Sequence, residues 1–106
     1  MTLREARKRA DHWKKKLGLE NYKFDIRRGK MEGPEYVGHA YWKPEYQEAQ
    51  ILLRKDAGEH DLLHEMLHVR LESHLAAPID YDPLYERAIN ALVDALIGYP
   101  EPGSLT

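Results

Sequence analysis

Apolar residues in the first stretch of the chain fall at Leu3, Ala6, Ala10, Trp13 and Leu17, three or four apart, with charged side chains between them and Gly18 just beyond. That spacing predicts an amphipathic helix over residues 2–17, stopped by the glycine. The period then changes to two. Residues 22–28 alternate, with Tyr22, Phe24 and Ile26 on one face, and end at Gly29; residues 36–42 form a second extended run that stops at Lys43-Pro44; residues 49–54 form a third. These runs predict three short strands of a small twisted sheet, with residues 29–35 as a loop and Pro44 at an edge or turn.

From Asp56 the pattern is helical again. Asp56 and Glu59 have the spacing of a capping box, so a helix is expected from near Ala57 to about Leu75. Leu62, Leu63, Met66, Leu67, Val69 and Leu71 make it apolar around most of its circumference, the mark of a central helix. After a connection over residues 76–81, Asp82 at the N-cap and Pro83 at the first helical position begin a last helix. Leu84, Tyr85, Ala88, Ile89, Leu92, Val93, Leu96 and Ile97 stripe it, and Gly98 ends it. Residues 99–106 are expected to be a flexible tail without regular structure. The order helix, three strands, two helices predicts a single α+β domain over residues 1–106, a length that leaves nothing for a second core.

Composition narrows the chemistry. The chain has no cysteine, so disulfides and thiolate metal sites are excluded and any metal must be held by imidazole and carboxylate. No stretch approaches the ~20 apolar residues of a membrane span, and Met1 is followed by charged residues rather than an apolar signal core. The expectation is a cytoplasmic protein with no membrane insertion. A net charge of −2 hides an asymmetry: residues 1–30 carry eleven Lys/Arg against four Asp/Glu, or +7, which leaves −9 for the remainder. The basic N-terminal helix, residues 1–18, is either a solvated face or a surface for nucleic acid or another acidic partner.

Within the central helix stands His64-Glu65-Met66-Leu67-His68. The i, i+4 spacing puts both imidazoles on one face, where they can share one metal ion, with zinc the natural candidate. Glu65, one residue round, can act as general base without being a ligand. Chance alone would produce the pattern about 0.03 times in a chain of this composition, so a third ligand matters. Glu86, 18 residues past His68 on the next helix, borders the apolar stripe and is the best choice; the ordinary alternative is an exposed glutamate favoured by the helix dipole.

His60, His64 and His68 form a ladder, but the rise from His60 to His68 is about 12 Å against zinc bonds of about 2 Å, so only an adjacent pair can serve one ion. His64 with His68 is preferred, because Glu65 reaches further than Asp61 and the pair lies deeper in the apolar helix. His60 then sits at the helix start or supports the site, His12 has no partner at ligand spacing, and His74, six residues past His68, faces elsewhere unless the helix has already ended. Asn90, one turn after Glu86, and in reserve Asp94 can accept the distal N–H groups of the imidazoles, or can simply form a polar flank.

With these residues assembled, the chain resembles the gluzincin zinc metallopeptidases, and in size the soluble minigluzincins, over residues 36–97. The resemblance implies a minimal zincin core, zinc held by His64, His68 and Glu86, and peptide-bond hydrolysis in which Glu65 takes a proton from the attacking water and passes it to the leaving amine. His39-Ala40-Tyr41-Trp42 is similar to the Asn-Ala-x-aromatic segment of the gluzincin edge strand, which implies that His39, Ala40, Tyr41 and Trp42 bind an extended peptide substrate by strand addition. The chain departs at His39, where asparagine is usual, and at Asn90, where some members have aspartate. The basic arm is more distantly similar to that of SprT-like peptidases, which act on DNA-associated proteins; without cysteine there is no zinc ribbon of the kind some of them append.

An oxyanion donor is also expected, with Tyr46, Tyr81, Tyr85, His74 and Arg87 as candidates that sequence does not separate. Two rival functions fit the same residues. One is a latent zinc domain whose open position is filled by the tail with Glu101 or by a partner. The other is a nucleic-acid-binding module with a structural metal.

Overall fold

A computed structural model describes residues 1–30, 37–75, 77 and 79–98. The expected tail over residues 99–106, the latency ascribed to Glu101 and most of the loop over residues 29–35 lie outside the described residues. Helix α1 (Leu3–Lys16) begins where Thr2 and Glu5 close a reciprocal capping box: the Thr2 hydroxyl accepts the Glu5 N–H at 3.1 Å and the Glu5 carboxylate accepts the Thr2 N–H at 3.3 Å. It ends in a Schellman turn, with the Leu19 N–H on the Lys14 carbonyl at 2.8 Å and Gly18 at φ +70°. Ala6, Ala10 and Trp13 are its buried residues, as the spacing requires.

Three strands follow, β1 (Lys23–Arg28), β2 (Gly38–Lys43) and β3 (Glu48–Leu53), in the spatial order β1-β3-β2. The last strand in sequence is therefore the central one, parallel to β1 and antiparallel to β2. A 3₁₀ turn over Pro44–Tyr46 and Gln47 at φ 51° link β2 to β3, with Pro44 just past the end of an edge strand. The register stacks Ile26, Ile51 and Ala40 in one row and Arg28, Leu53 and Gly38 in the next. The apolar face turned to the helices carries Ile26, Ala40, Ala49, Ile51 and Leu53, all buried, while the alternate residues leave the other face polar.

Helix α2 (Glu59–Glu72) lies across that face between α1 and α3. Leu62, Leu63, Met66, Leu67 and Val69 are buried, which bears out the central position read from its composition. Its start differs from the expected capping box. Asp56 pairs with Arg54 at 2.6 Å, and Asp61 instead accepts the Gly58 N–H at 2.8 Å, so the helix begins at Glu59. It also stops at Glu72, earlier than Leu75.

Helix α3 (Pro83–Val93), capped by the Asp82 carboxylate on the Leu84 N–H at 2.9 Å, continues into a wider π-type turn over Asp94–Gly98. Of its expected apolar stripe only Ile89 and Val93 are buried, while Leu84 is 71% exposed, because among the described residues α3 packs along one flank only. No described helix is long and apolar enough to cross a membrane.

Gly18→Ala forces an L side chain into the left-handed region where glycine carries no penalty, although nothing lies within 4 Å of the new Cβ. The cost is therefore conformational rather than steric, about 1 kcal/mol in urea unfolding, with no change in the fold.

Candidate metal centre

One turn of α2 separates His64 from His68, and their Nε2 atoms stand 3.3 Å apart. Helix α3 brings Glu86 to both: one carboxylate oxygen is 2.7 Å from His64 Nε2 and the other 3.1 Å from His68 Nε2. Donor atoms of these three residues lie within 4.8 Å of one another, so the group could hold a metal ion. The pair that sequence reasoning preferred, and its third partner on the next helix, are thus brought together. His60 lines the cleft but lies outside this group, with its Nε2 3.1 Å from the exposed Asp94.

The distal imidazole nitrogens are engaged on the opposite side. His64 Nδ1–H donates to the side-chain carbonyl at 2.8 Å of Asn90, which spacing offered either as an acceptor for the imidazoles or as a polar flank. Asp94, the reserve acceptor, serves His60 instead. His68 Nδ1–H donates at 2.5 Å to Glu72, a residue that sequence reasoning missed. The signal was available, since Glu72 lies four residues past His68 and so on the same helix face; acceptors were sought on the following helix instead. With each Nδ1 donating, each Nε2 presents a lone pair inward. A bare nitrogen and a carboxylate oxygen at 2.7 Å repel unless a proton or a cation lies between them.

Glu65 lies against the sheet. Its Cγ would stand 3.1 Å from a Cβ placed on Gly38, so the glycine at the head of β2 makes room for this side chain. Burial pushes its carboxyl up to about 7; Glu86, Asp61 and Glu72 add to the shift, and His68 opposes it. For His68, burial works against the imidazolium, but the Glu72 hydrogen bond and the carboxylates of Glu65, Glu86 and Glu72 outweigh it and raise the pKa. Burial, followed by the bond to Glu72, raises the Tyr85 phenol, which stays a donor.

Strand β2 borders the cleft that these residues open into, and His39, Tyr41 and Trp42 line it together with His64, Glu65 and Glu86. Its second edge has no partner strand among the described residues. Ala40 points into the core, whereas His39 and Tyr41 lie together on the other face with ring centroids 4.4 Å apart. Burial, then the charge of His68, lowers the His39 pKa. Of the expected oxyanion donors, Tyr81 lines the cleft, Tyr85 is committed to Glu72 at 2.9 Å, Tyr46 is exposed on the β2–β3 turn, and His74 and Arg87 are exposed on α2's downstream side and on α3.

Without metal, the folded chain keeps the Glu65 proton up to about 7, whereas the unfolded chain releases it near 4.5. The associated stability is complete at low pH and declines as pH rises through that interval. Glu65→Gln removes this share of the decline and leaves that of His68, which acts in the same direction above 6.5. Urea midpoints of metal-free protein across the interval measure both.

The chain gives no match in comparisons with protein-family models, with curated proteins or with solved structures.

Proposed function

We propose that this chain is a zinc-dependent peptidase of gluzincin type, with His64, His68 and Glu86 as ligands and Glu65 as general base. The observation that carries the reading is the convergence of two inward-facing Nε2 atoms and one carboxylate, with Glu65 beside them. Two imidazoles and one carboxylate, leaving an open position, form a catalytic rather than a structural zinc set. Ligand atoms around a tetrahedral ion with bonds of about 2.1 Å stand about 3.4 Å apart. The imidazole nitrogens, at 3.3 Å, already have that spacing. A dication also suits a pocket whose acidic groups help hold Glu65 at a pKa of about 7.

When bound, zinc supplies Lewis-acid polarisation of the scissile carbonyl and a lowered pKa for water. The chain's own residues do the rest. Asn90 and Glu72 fix the two rings, Glu65 takes the proton of the attacking water and returns it to the leaving amine, and the free edge of β2 accepts an extended peptide as an added strand. Tyr81, on the cleft wall, is the candidate oxyanion donor. The arrangement of α2 beneath an edge strand, with the third ligand on α3, is in keeping with a minimal zincin core.

Glu65→Gln should keep about one equivalent of zinc and lose about 10²–10⁴-fold in peptide hydrolysis. Gly38→Ala, which crowds the Glu65 Cγ, should cost about three- to tenfold in kcat at unchanged zinc content. If zinc-loaded wild-type protein cleaves no member of a diverse peptide library, the peptidase reading is wrong.

A second surface supports a separate interaction. Arg4, Lys8, Lys14, Lys15 and Lys23 form no ion pair among the described residues, and they lie on α1 and β1, at the sheet edge away from β2. Such a face suits a nucleic-acid backbone rather than a protein interface, whose core needs apolar residues. Duplex DNA affinity should then fall with salt at a log–log slope of about −3 to −5, and Lys8→Gln with Lys15→Gln should reduce the slope by about two. Anisotropy measurements that show no duplex binding at low salt, or equal affinity for polyglutamate, count against nucleic acid.

A further inference from the structure

Glu72 is the one buried charged residue among those described, 1% exposed, and both its carboxylate oxygens are occupied. One oxygen accepts the Ile79 N–H at 2.8 Å; the other accepts His68 Nδ1–H at 2.5 Å and the Tyr85 hydroxyl at 2.9 Å. The three donors belong to three different segments: α2, the connection that leads from it, and α3. Burying a carboxylate is unfavourable unless its lone pairs are filled, and here three donors fill them at once. Helix α2 ends at this residue, and the connection returns to place Ile79 and Tyr81 on the wall of the cleft.

We propose that Glu72 is a positioning residue that ties the cleft wall at Ile79 to the orientation of His68, so that holding one holds the other. The inference rests on the metal-centre reading above and extends it. The two imidazoles are held differently. His64 is oriented by a neutral amide, Asn90, which among the described residues has no other side-chain partner, whereas His68 is oriented by a charged carboxylate that also anchors the backbone of the wall. A shift of the Ile79 peptide loads the same carboxylate that sets the His68 ring. Conversely, an ion that fixes His68 Nε2 fixes Glu72 and, through it, the Ile79 N–H. Tyr85 completes the arrangement by setting its ring edge-on to His68 at 5.7 Å between centroids while its hydroxyl holds Glu72.

The test compares wild type, Glu72→Gln, Tyr85→Phe and, as a control at the surface pair, His60→Ala. The readouts are chelator-competed zinc affinity, the visible spectrum of the Co²⁺-loaded protein and amide hydrogen exchange at Ile79. Glutamine keeps one carbonyl acceptor and so satisfies either the ring or the wall, not both. Glu72→Gln is expected to bind zinc about 10–100-fold more weakly and to change the Co²⁺ spectrum. In wild type, metal loading should slow Ile79 exchange about tenfold or more, and this slowing should be lost in the variant. Tyr85→Phe should give the same spectral change in smaller measure, which keeps the test decisive if Glu72→Gln does not fold. His60→Ala should match wild type. A Glu72→Gln protein with lowered melting temperature but unchanged zinc affinity, Co²⁺ spectrum and Ile79 response to metal would make Glu72 a purely structural group and overturn the proposal. Wild-type protein that takes up neither metal would overturn the metal-centre reading itself, a result distinct from a variant that matches a metal-binding wild type.

Discussion

Helix α2 has to be buried on nearly every side and still present two imidazoles and a carboxylate to open space. Leu62, Leu63, Met66, Leu67 and Val69 fill the space between the sheet, α1 and α3, while Leu71 near its end is exposed, and the site's polar residues lie on a strip facing α3 and β2. Because the backbone of α2 is fixed by that packing, the strip is fixed as well, and side chains on it have little freedom to rearrange. The same confinement makes the electrostatics severe. Glu65, Glu72 and Glu86 surround His64 and His68 in partly or fully buried positions, where hydrogen bonds and the imidazoles are what offset the acidic charge.

Features governed by local periodicity and capping were legible in the sequence. Helix α1, the three strands and the start of α3 at Asp82-Pro83 follow from spacing alone, because each depends on residues within a few turns, whereas spacing left Asn90 open as either an imidazole acceptor or a polar flank. What was not legible depends on partners distant in sequence. The central place of β3 is set by pairing with both β1 and β2, which no single strand pattern records. The start of α2 was misplaced because Asp56 had a competing partner, Arg54, two residues away, which removed it from capping. Leu84, Leu92 and Leu96 belong to the apolar stripe of α3 and yet are exposed, because a stripe records apolar residues and not whether anything packs over them. Glu72 shows a different limit: a glutamate at a helix end looks solvated until the chain beyond it folds back to cover it.

Charge is distributed as deliberately as packing. The basic residues of α1 and β1 and the acidic groups around His64 and His68 sit toward opposite edges of a sheet only three strands wide. Arg7 reaches from α1 to the Ile26 carbonyl at 3.1 Å, and Arg9 pairs with Glu59 at 2.5 Å, so two members of the basic helix bind it to β1 and to the start of α2. Arg27 pairs with Asp25 at 2.8 Å and Arg28 donates to the Arg54 carbonyl at 3.0 Å, while Arg4, Lys8, Lys14, Lys15 and Lys23 form no ion pair among the described residues and give the molecule a polarity along the sheet.

The unpartnered edge of β2 has a consequence for the molecule in isolation. Among the described residues its outer N–H and carbonyl groups face no partner strand, and such a row is as good a template for a second copy of the same strand as for any other extended chain. Gly38 weakens one end of that template and Lys43 charges the other, while the 3₁₀ turn at Pro44 shortens it. Edge-to-edge pairing through β2 is therefore confined to the six residues Gly38–Lys43.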